Sequence, residues 1–193
     1  MTVAPVRLFG DPVLRARADE VGTFDRDLHQ LVTDLTDTMH ASGGIGMAAP
    51  QIGVGLRVFV YDTSARDRFG QAGHVVNPVV TVLGEQRQYG FEGCLSIPGV
   101  RYEVDRAFKV RVTGVDMYGK AVEFTAERTL ARVAQHETDH LDGVLFLDRL
   151  DKVQRRSAMK DVRESGWFAA GKTVMTADEV DDYRRAAIAE RAR

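Results

Sequence analysis

The most constraining feature is a five-residue run, His136-Glu137-Thr138-Asp139-His140, set inside a segment of helical periodicity. Residues 128–141 place Leu130, Val133, Ala134 and Leu141 on one face, and Asp142-Gly143 supplies a stop. Histidines four apart on a helix share a face, with Cβ atoms about 6 Å apart, so both imidazoles can hold one metal ion. Glu137 follows the first histidine and can reach a water activated by such an ion, as a general base must. The competing reading is a surface helix with two solvated histidines.

A catalytic metal site needs a third protein ligand and an open position. No histidine follows His140, and the downstream acids Asp142, Asp148 and Glu164 stand at no zincin-like spacing. Upstream lies the only cysteine, Cys94, within Glu92-Gly93-Cys94-Leu95-Ser96. A lone cysteine is ordinarily a small buried hydrophobe. Beside two helix histidines that lack a third ligand, it becomes the candidate. A single cysteine also excludes an internal disulfide framework and fits a reducing compartment.

A third stretch, Gly44-Ile45-Gly46-Met47-Ala48-Ala49-Pro50-Gln51, is dense in small residues. Gly44 and Gly46 let another backbone approach closely, and Gln51 offers a side-chain amide. The spacing is not GxGxxG and no strand precedes it, which excludes a nucleotide loop. Alone, the stretch reads equally as a glycine-rich turn.

Around these stretches the pattern is α+β. Asp11-Pro12 predicts a short helix over 12–18. Phe24, Leu28, Leu31, Val32, Leu35 and Met39 predict a helix over 24–41, ending at Ser42-Gly43-Gly44. Strands are expected over 56–62, over 75–83 with Pro78 marking an edge or a break, and over 107–116 paired with 122–126 across the turn 117–120. Another helix fits 151–164.

At 193 residues the chain suits one domain, expected over 1–165, with a C-terminal tail over 166–193. Gly166, Gly171 and Lys172 suggest a loop, and Thr176-Ala177-Asp178-Glu179 has capping-box spacing for a last helix. A formal charge of −2 argues against specific nucleic-acid binding. No apolar segment is long enough to span a membrane and no signal peptide opens the chain, so a cytoplasmic protein is expected.

Taken together, the three stretches resemble the bacterial peptide deformylases. Residues 44–51 look like that family's GxGxAAxQ motif, 92–96 its EGCLS motif and 135–140 its QHExDH motif, in that order. The resemblance covers about residues 5–150 and implies an α+β fold with antiparallel sheets around the central HExxH helix. It implies Cys94, His136 and His140 as ligands of one divalent ion per chain, ferrous iron in the cell and zinc or nickel as alternatives. It makes Glu137 the acid/base, and Gln51 with the backbone N–H of Leu95 the groups that polarise the formyl oxygen. It places Ile45 and Gly46 along the substrate backbone, Arg101 near the edge of the site and Val133 in the pocket for the methionine side chain. The implied substrate is an N-formylmethionyl peptide, hydrolysed to formate and a free amine. Thr129 and Arg132, on the same helix, are polar for such a pocket unless Arg132 turns outward.

Three alternatives stand at the level of sequence: a zincin-type peptidase, a catalytically dead relative that only binds, to which the full set of Gln51, Cys94, Leu95, His136, Glu137 and His140 gives no support, and the same chemistry on a different client, such as a specialised N-formyl amide, or in an inhibitor-resistant duplicate. The tail adds a further expectation. Arg184, Arg185, Arg191 and Arg193 give a basic end that fits a weak ribosome contact, but Asp181, Asp182 and Glu190 interrupt it. A helix packing back on its own domain is the stronger reading of that mixture.

Overall fold

The computed structural model describes residues 3–66 and 70–191. Its architecture is α+β, with antiparallel sheets packed around two long helices. The strands are β1 (Val6–Arg7), β2 (Gly46–Ala48), β3 (Val58–Asp62), β4 (Ala72–Val82), β5 (Arg87–Cys94), β6 (Ile97–Ala107), β7 (Lys109–Val115), β8 (Ala121–Glu127) and β9 (Val174–Met175). The helices are α1 (Arg26–Ala41), α2 (Arg128–Leu141), α3 (Lys152–Glu164), α4 (Gly166–Ala169) and α5 (Ala177–Arg191).

The main sheet runs β2-β3-β4-β7-β8, leaving β2 at its edge. Strand β3 explains how the sheet sits. Val58 and Val60 belong to the core that buries α1 through Leu28, Leu35 and Met39. Phe59 and Tyr61 belong to the core that buries α2 through Leu130, Val133 and Ala134. Successive side chains of a strand point to opposite faces, so a run of four apolar residues closes two layers at once. α2, which carries His136, Glu137 and His140, is thereby backed by a sheet rather than by solvent.

β5 and β6 form a separate hairpin, paired from Arg87–Ala107 to Gly93–Arg101. The register then jumps, so that Cys94 pairs with Ile97 and residues 98–100 bulge from β6. A bulge bends its strand and redirects side chains. Gly99, at φ +84°, supplies the left-handed turn this bend needs.

Several local expectations need correction. Residues 12–15 form one 3₁₀ turn capped by Asp11, not a helix to 18. α1 starts at Arg26, because the Asp25 carboxylate caps the N–H groups of Asp27 and Leu28. Phe24 precedes that cap and is exposed, outside the apolar stripe. Pro78 marks a break, one of the two alternatives expected for it, and not an edge: the strand lies inside the sheet and shifts register between Val76 and Val79. Asn77, at φ +51°, anchors the break by hydrogen-bonding both the N–H and the carbonyl of Val21. The region 165–172 contains the one-turn helix α4, whose Trp167 is buried.

The tail packs on the body. β9 pairs with β1, and α5 lies against α1 and β6. No helix among the described residues is long and apolar enough to cross a membrane.

Candidate active site

α2 carries His136, Glu137 and His140 toward a cleft of about 470 Å³. One wall is the turn and edge strand at Gly44, Ile45 and Gly46, and the opposite wall is the end of β5 with the bulge of β6. The open edge of β2 faces this space, so its backbone groups can pair with an extended peptide.

Cys94, at the end of β5, meets the two histidines. Its sulfur lies 3.1 Å from Nε2 of His140, and the ligand atoms of Cys94, His136 and His140 all fall within 4.8 Å of one another. All three side chains are buried. Ions of the zinc and ferrous class take nitrogen and sulfur ligands at about 2.0–2.3 Å, so donors this close can share one ion. The two imidazoles differ in their affinity for a proton. Burial opposes charging His136, yet hydrogen bonds to Cys94 and Glu92 hold its pKa well above the ordinary range. Burial and the neighbouring His136 push His140 well below it.

Glu137 sits one residue along and is buried. Burial and nearby Glu92 push its pKa up, against the pull of His136, to about 7. Its Oε2 has no hydrogen-bond partner among the described residues. Gly46 explains how the carboxylate fits. A Cβ at position 46 would collide with Oε1 of Glu137 and lie 2.7 Å from Cγ1 of Val133. Only glycine lets the edge strand approach the helix this closely.

Gln51 has a fixed orientation. Its Oε1 accepts from the N–H of Ala48 at 2.8 Å, so Nε2 must face the site, 3.6 Å from the Cys94 sulfur and 3.3 Å from Oγ of Ser96. Leu95 follows β5 in the two-residue turn and lines the cleft with Ile45, Gly46, Val133 and Arg101. Nine of the ten residues expected from sequence line this cleft, and the tenth, His140, lies behind it against Cys94. Thr129 lines it as well.

Arg132 does not turn outward. Its guanidinium donates to the carbonyls of Gln88, Gly90 and Val104 and to Oε1 of Glu92 at 2.8 Å. It clamps α2 to the β5–β6 hairpin, and its charge is used there.

Sequence reading missed the supports of this centre. Glu92 accepts from Arg106 at 2.9 and 3.0 Å, and its Oε2 lies 3.0 Å from Nδ1 of His136. Burial pushes Glu92 up, but His136 and Arg106 outweigh it and hold the carboxyl well below the usual range. Asp139 extends the array, pairing Arg106 at 2.6 Å and Arg149 at 2.5 Å. The signal was present in part, because Glu92 and Asp139 stand inside the two metal-site motifs. Arg106 and Arg149 belong to no motif and meet them only through the fold.

The family model described as polypeptide deformylase matches residues 3–156. A peptide deformylase 1 of Corynebacterium glutamicum is 56% identical over 168 residues, covering 87% of this chain and 99% of that protein. A peptide deformylase of Acidothermus cellulolyticus is 52% identical over 90% of this chain and 92% of its own. The crystal structure of a peptide deformylase from Legionella pneumophila superposes with a TM-score of 0.79 at 38% identity, over 89% of this chain and 99% of that one. Identity at this level over most of both chains settles what shared geometry alone would leave open: the chain belongs to the polypeptide deformylase family.

Proposed function

We propose that the chain hydrolyses the formyl group from N-formylmethionyl peptides, releasing formate and a free α-amine. The observation that carries this reading is the buried cluster of Cys94, His136 and His140 with Glu137 held beside it by Gly46. These three residues would hold one divalent ion, ferrous iron in the cell and zinc or nickel as substitutes. Such an ion supplies Lewis acidity that makes water a competent nucleophile near neutral pH.

The chain's own groups do the rest. The edge of β2 at Ile45 and Gly46 orients the peptide backbone, and Val133 offers an apolar surface to the methionine side chain. Arg101 stands at the edge of the cleft, beside the residues that follow. Gln51 Nε2 and the N–H of Leu95 donate to the formyl oxygen as negative charge builds on it, which is the work of an oxyanion hole. Glu137 takes the proton of the attacking water and delivers it to the leaving amine. A carboxyl pushed up to about 7 is suited to both transfers.

The client is a nascent chain in the cytoplasm, and residues 1–165 form the catalytic unit, with 166–193 as an appended tail. The proposal extends to a weak, salt-sensitive ribosome contact through the tail. Of its basic residues, Arg184 is paired with Asp181, and Arg193 lies outside the described residues. Loss of co-sedimentation with ribosomes on deleting 172–193 would support the contact, and unchanged co-sedimentation would remove it.

The direct test uses anaerobically purified protein with its metal counted. Formate release from an N-formylmethionyl tripeptide, with no cleavage of the unformylated tripeptide, supports the reading. Internal cleavage of unformylated peptides would favour a zincin-type peptidase instead.

A further inference from the structure

Beyond the cluster of Cys94, His136 and His140 the cleft continues as a lobe between α2 and β5. His136, Val133 and Thr129 line it in turn, three and four residues apart, which is one face of α2. Val133 stands at the entrance, since a Cβ at Gly46 on the edge strand would lie 2.7 Å from its Cγ1. Thr129 lies one turn further, about 6 Å along the axis. Gln88 and Gly93 of β5 stand on the facing wall.

Most polar groups around this lobe are already committed. Arg132 spans from α2 to the hairpin, giving its guanidinium to three carbonyls and to Glu92. The hairpin lies so close to it that a Cβ at Gly90 would come within 3.2 Å of Nη2. Gln88 donates its amide to the carbonyls of Ala107 and Arg128. Glu92 is held by Arg106, Arg132 and His136. Arg128, at the start of the helix, is exposed to solvent. Thr129 differs from these. Among the described residues no partner engages its hydroxyl, and α2 starts at Glu127 with no side-chain cap that could.

A hydroxyl at the end of an apolar path offers a thioether little and an oxygen acceptor a full hydrogen bond. Methionine gains such an acceptor when its sulfur is oxidised to the sulfoxide. We propose that the lobe admits methionine sulfoxide as well as methionine at the formylated position, with Thr129 as the residue that recognises the sulfoxide oxygen. A side chain lying along Val133 ends beside Thr129, whose hydroxyl donates to that oxygen. The sulfoxide takes no part in the reaction: water splits the formyl amide into formate and the free amine, and the sulfur keeps its oxidation state. The added client class is chains whose initiating methionine has been oxidised. This inference rests on the deformylase reading, because it needs a formylated residue in the lobe.

The test measures kcat/KM for N-formyl tripeptides that begin with methionine, norleucine or either resolved epimer of methionine sulfoxide. A wholly apolar lobe would place both epimers on the order of 10²-fold below norleucine, the loss of a buried polar group without a partner. Here one epimer should stay within about tenfold of norleucine, because one hydrogen bond recovers about tenfold. The other should be several-fold poorer, because the sulfoxide sulfur is chiral and Thr129 stands on one side of it. Thr129→Val, which keeps the shape and removes the hydroxyl, should lower the sulfoxide/norleucine ratio about tenfold for the favoured epimer and erase the epimer preference. Thr129→Ser should keep both. Each ratio is taken within one protein, so a general loss of activity cancels. Both epimers on the order of 10²-fold below norleucine in the unmodified chain, or a ratio and an epimer preference unchanged in Thr129→Val, would overturn the proposal. The methionine peptide separates the two readings. Its turnover beside failed sulfoxides overturns only the role of Thr129, whereas no formate from it at full metal occupancy overturns both.

Discussion

Nδ1 of His136 lies 3.0 Å from Oε2 of Glu92, and that bond decides which face of the ring is offered to a metal ion. With Nδ1 engaged, Nε2 is the nitrogen left to meet Cys94. Partners of this kind fix both the tautomer and the orientation of a ligating histidine. Glu92 is itself held by Arg106 and Arg132, so the orientation is inherited from three elements at once.

Glu92→Gln should therefore weaken metal affinity by roughly 10–100-fold while the fold persists. Metal retained during dialysis against a graded chelator series measures this. Glu92→Ala is the harsher change. It leaves Arg106 buried with one fewer partner, and unfolding in urea should show a loss of about 3–5 kcal/mol. Equal metal retention in Glu92→Gln and the unmodified chain would remove Glu92 from the positioning role.

Glu137→Gln should keep its metal and lose about 10²–10⁴ in kcat, the range of a general acid–base contribution. The amide has nearly the same shape, so the melting midpoint should stay at or above that of the unmodified chain, since a buried carboxyl with an unpartnered oxygen is removed. Near-native turnover in this variant would take Glu137 out of the mechanism.

Gly46→Ala tests the close approach of β2 to α2. The added methyl must displace Glu137 or Val133, at a cost of about 1–3 kcal/mol in stability. The activity loss should exceed what that destabilisation explains, because the displaced carboxylate is the one proposed to carry the proton. Thermal melts beside kcat separate the two effects.

The three site motifs were legible because their chemistry is local: spacing puts both histidines on one helix face, and glycine is needed where a backbone approaches. The long helices and the β7–β8 hairpin were legible for the same reason. The β5–β6 hairpin was not. Tyr89 and Phe91 on β5 face solvent, charged residues such as Glu92 and Arg106 are buried, and Gly90, Gly93 and Pro98 interrupt the pattern. A strand whose inward residues are charged has no apolar alternation to read. The seat of α5 was hidden too, because Gly43, Gly99 and Pro98 meet the tail only after the chain has closed on itself.

Asp148 gives a pH-dependent prediction away from the metal centre. Burial raises its pKa, but the ion pair with Arg15 and the N–H of Leu145 outweigh burial and lower it. A carboxyl lowered in the folded state stabilises above its unfolded pKa, about 3.9, and loses that contribution as pH falls through the folded value. Asp148→Asn should therefore be less stable than the unmodified chain at pH 7, with the gap closing below about pH 4. Urea midpoints measured from pH 7 to pH 3 report it. A gap that stays constant across that range would show that the ion pair is not the source.

The most direct measurement is formate release from an N-formylmethionyl peptide as ferrous ion is titrated anaerobically into metal-free protein, run in parallel with His140→Ala. Turnover should rise in proportion to bound metal and saturate at about one ion per chain, with His140→Ala failing to retain the ion and showing no comparable rise. Full occupancy without formate, or formate release independent of metal in either protein, would contradict the account.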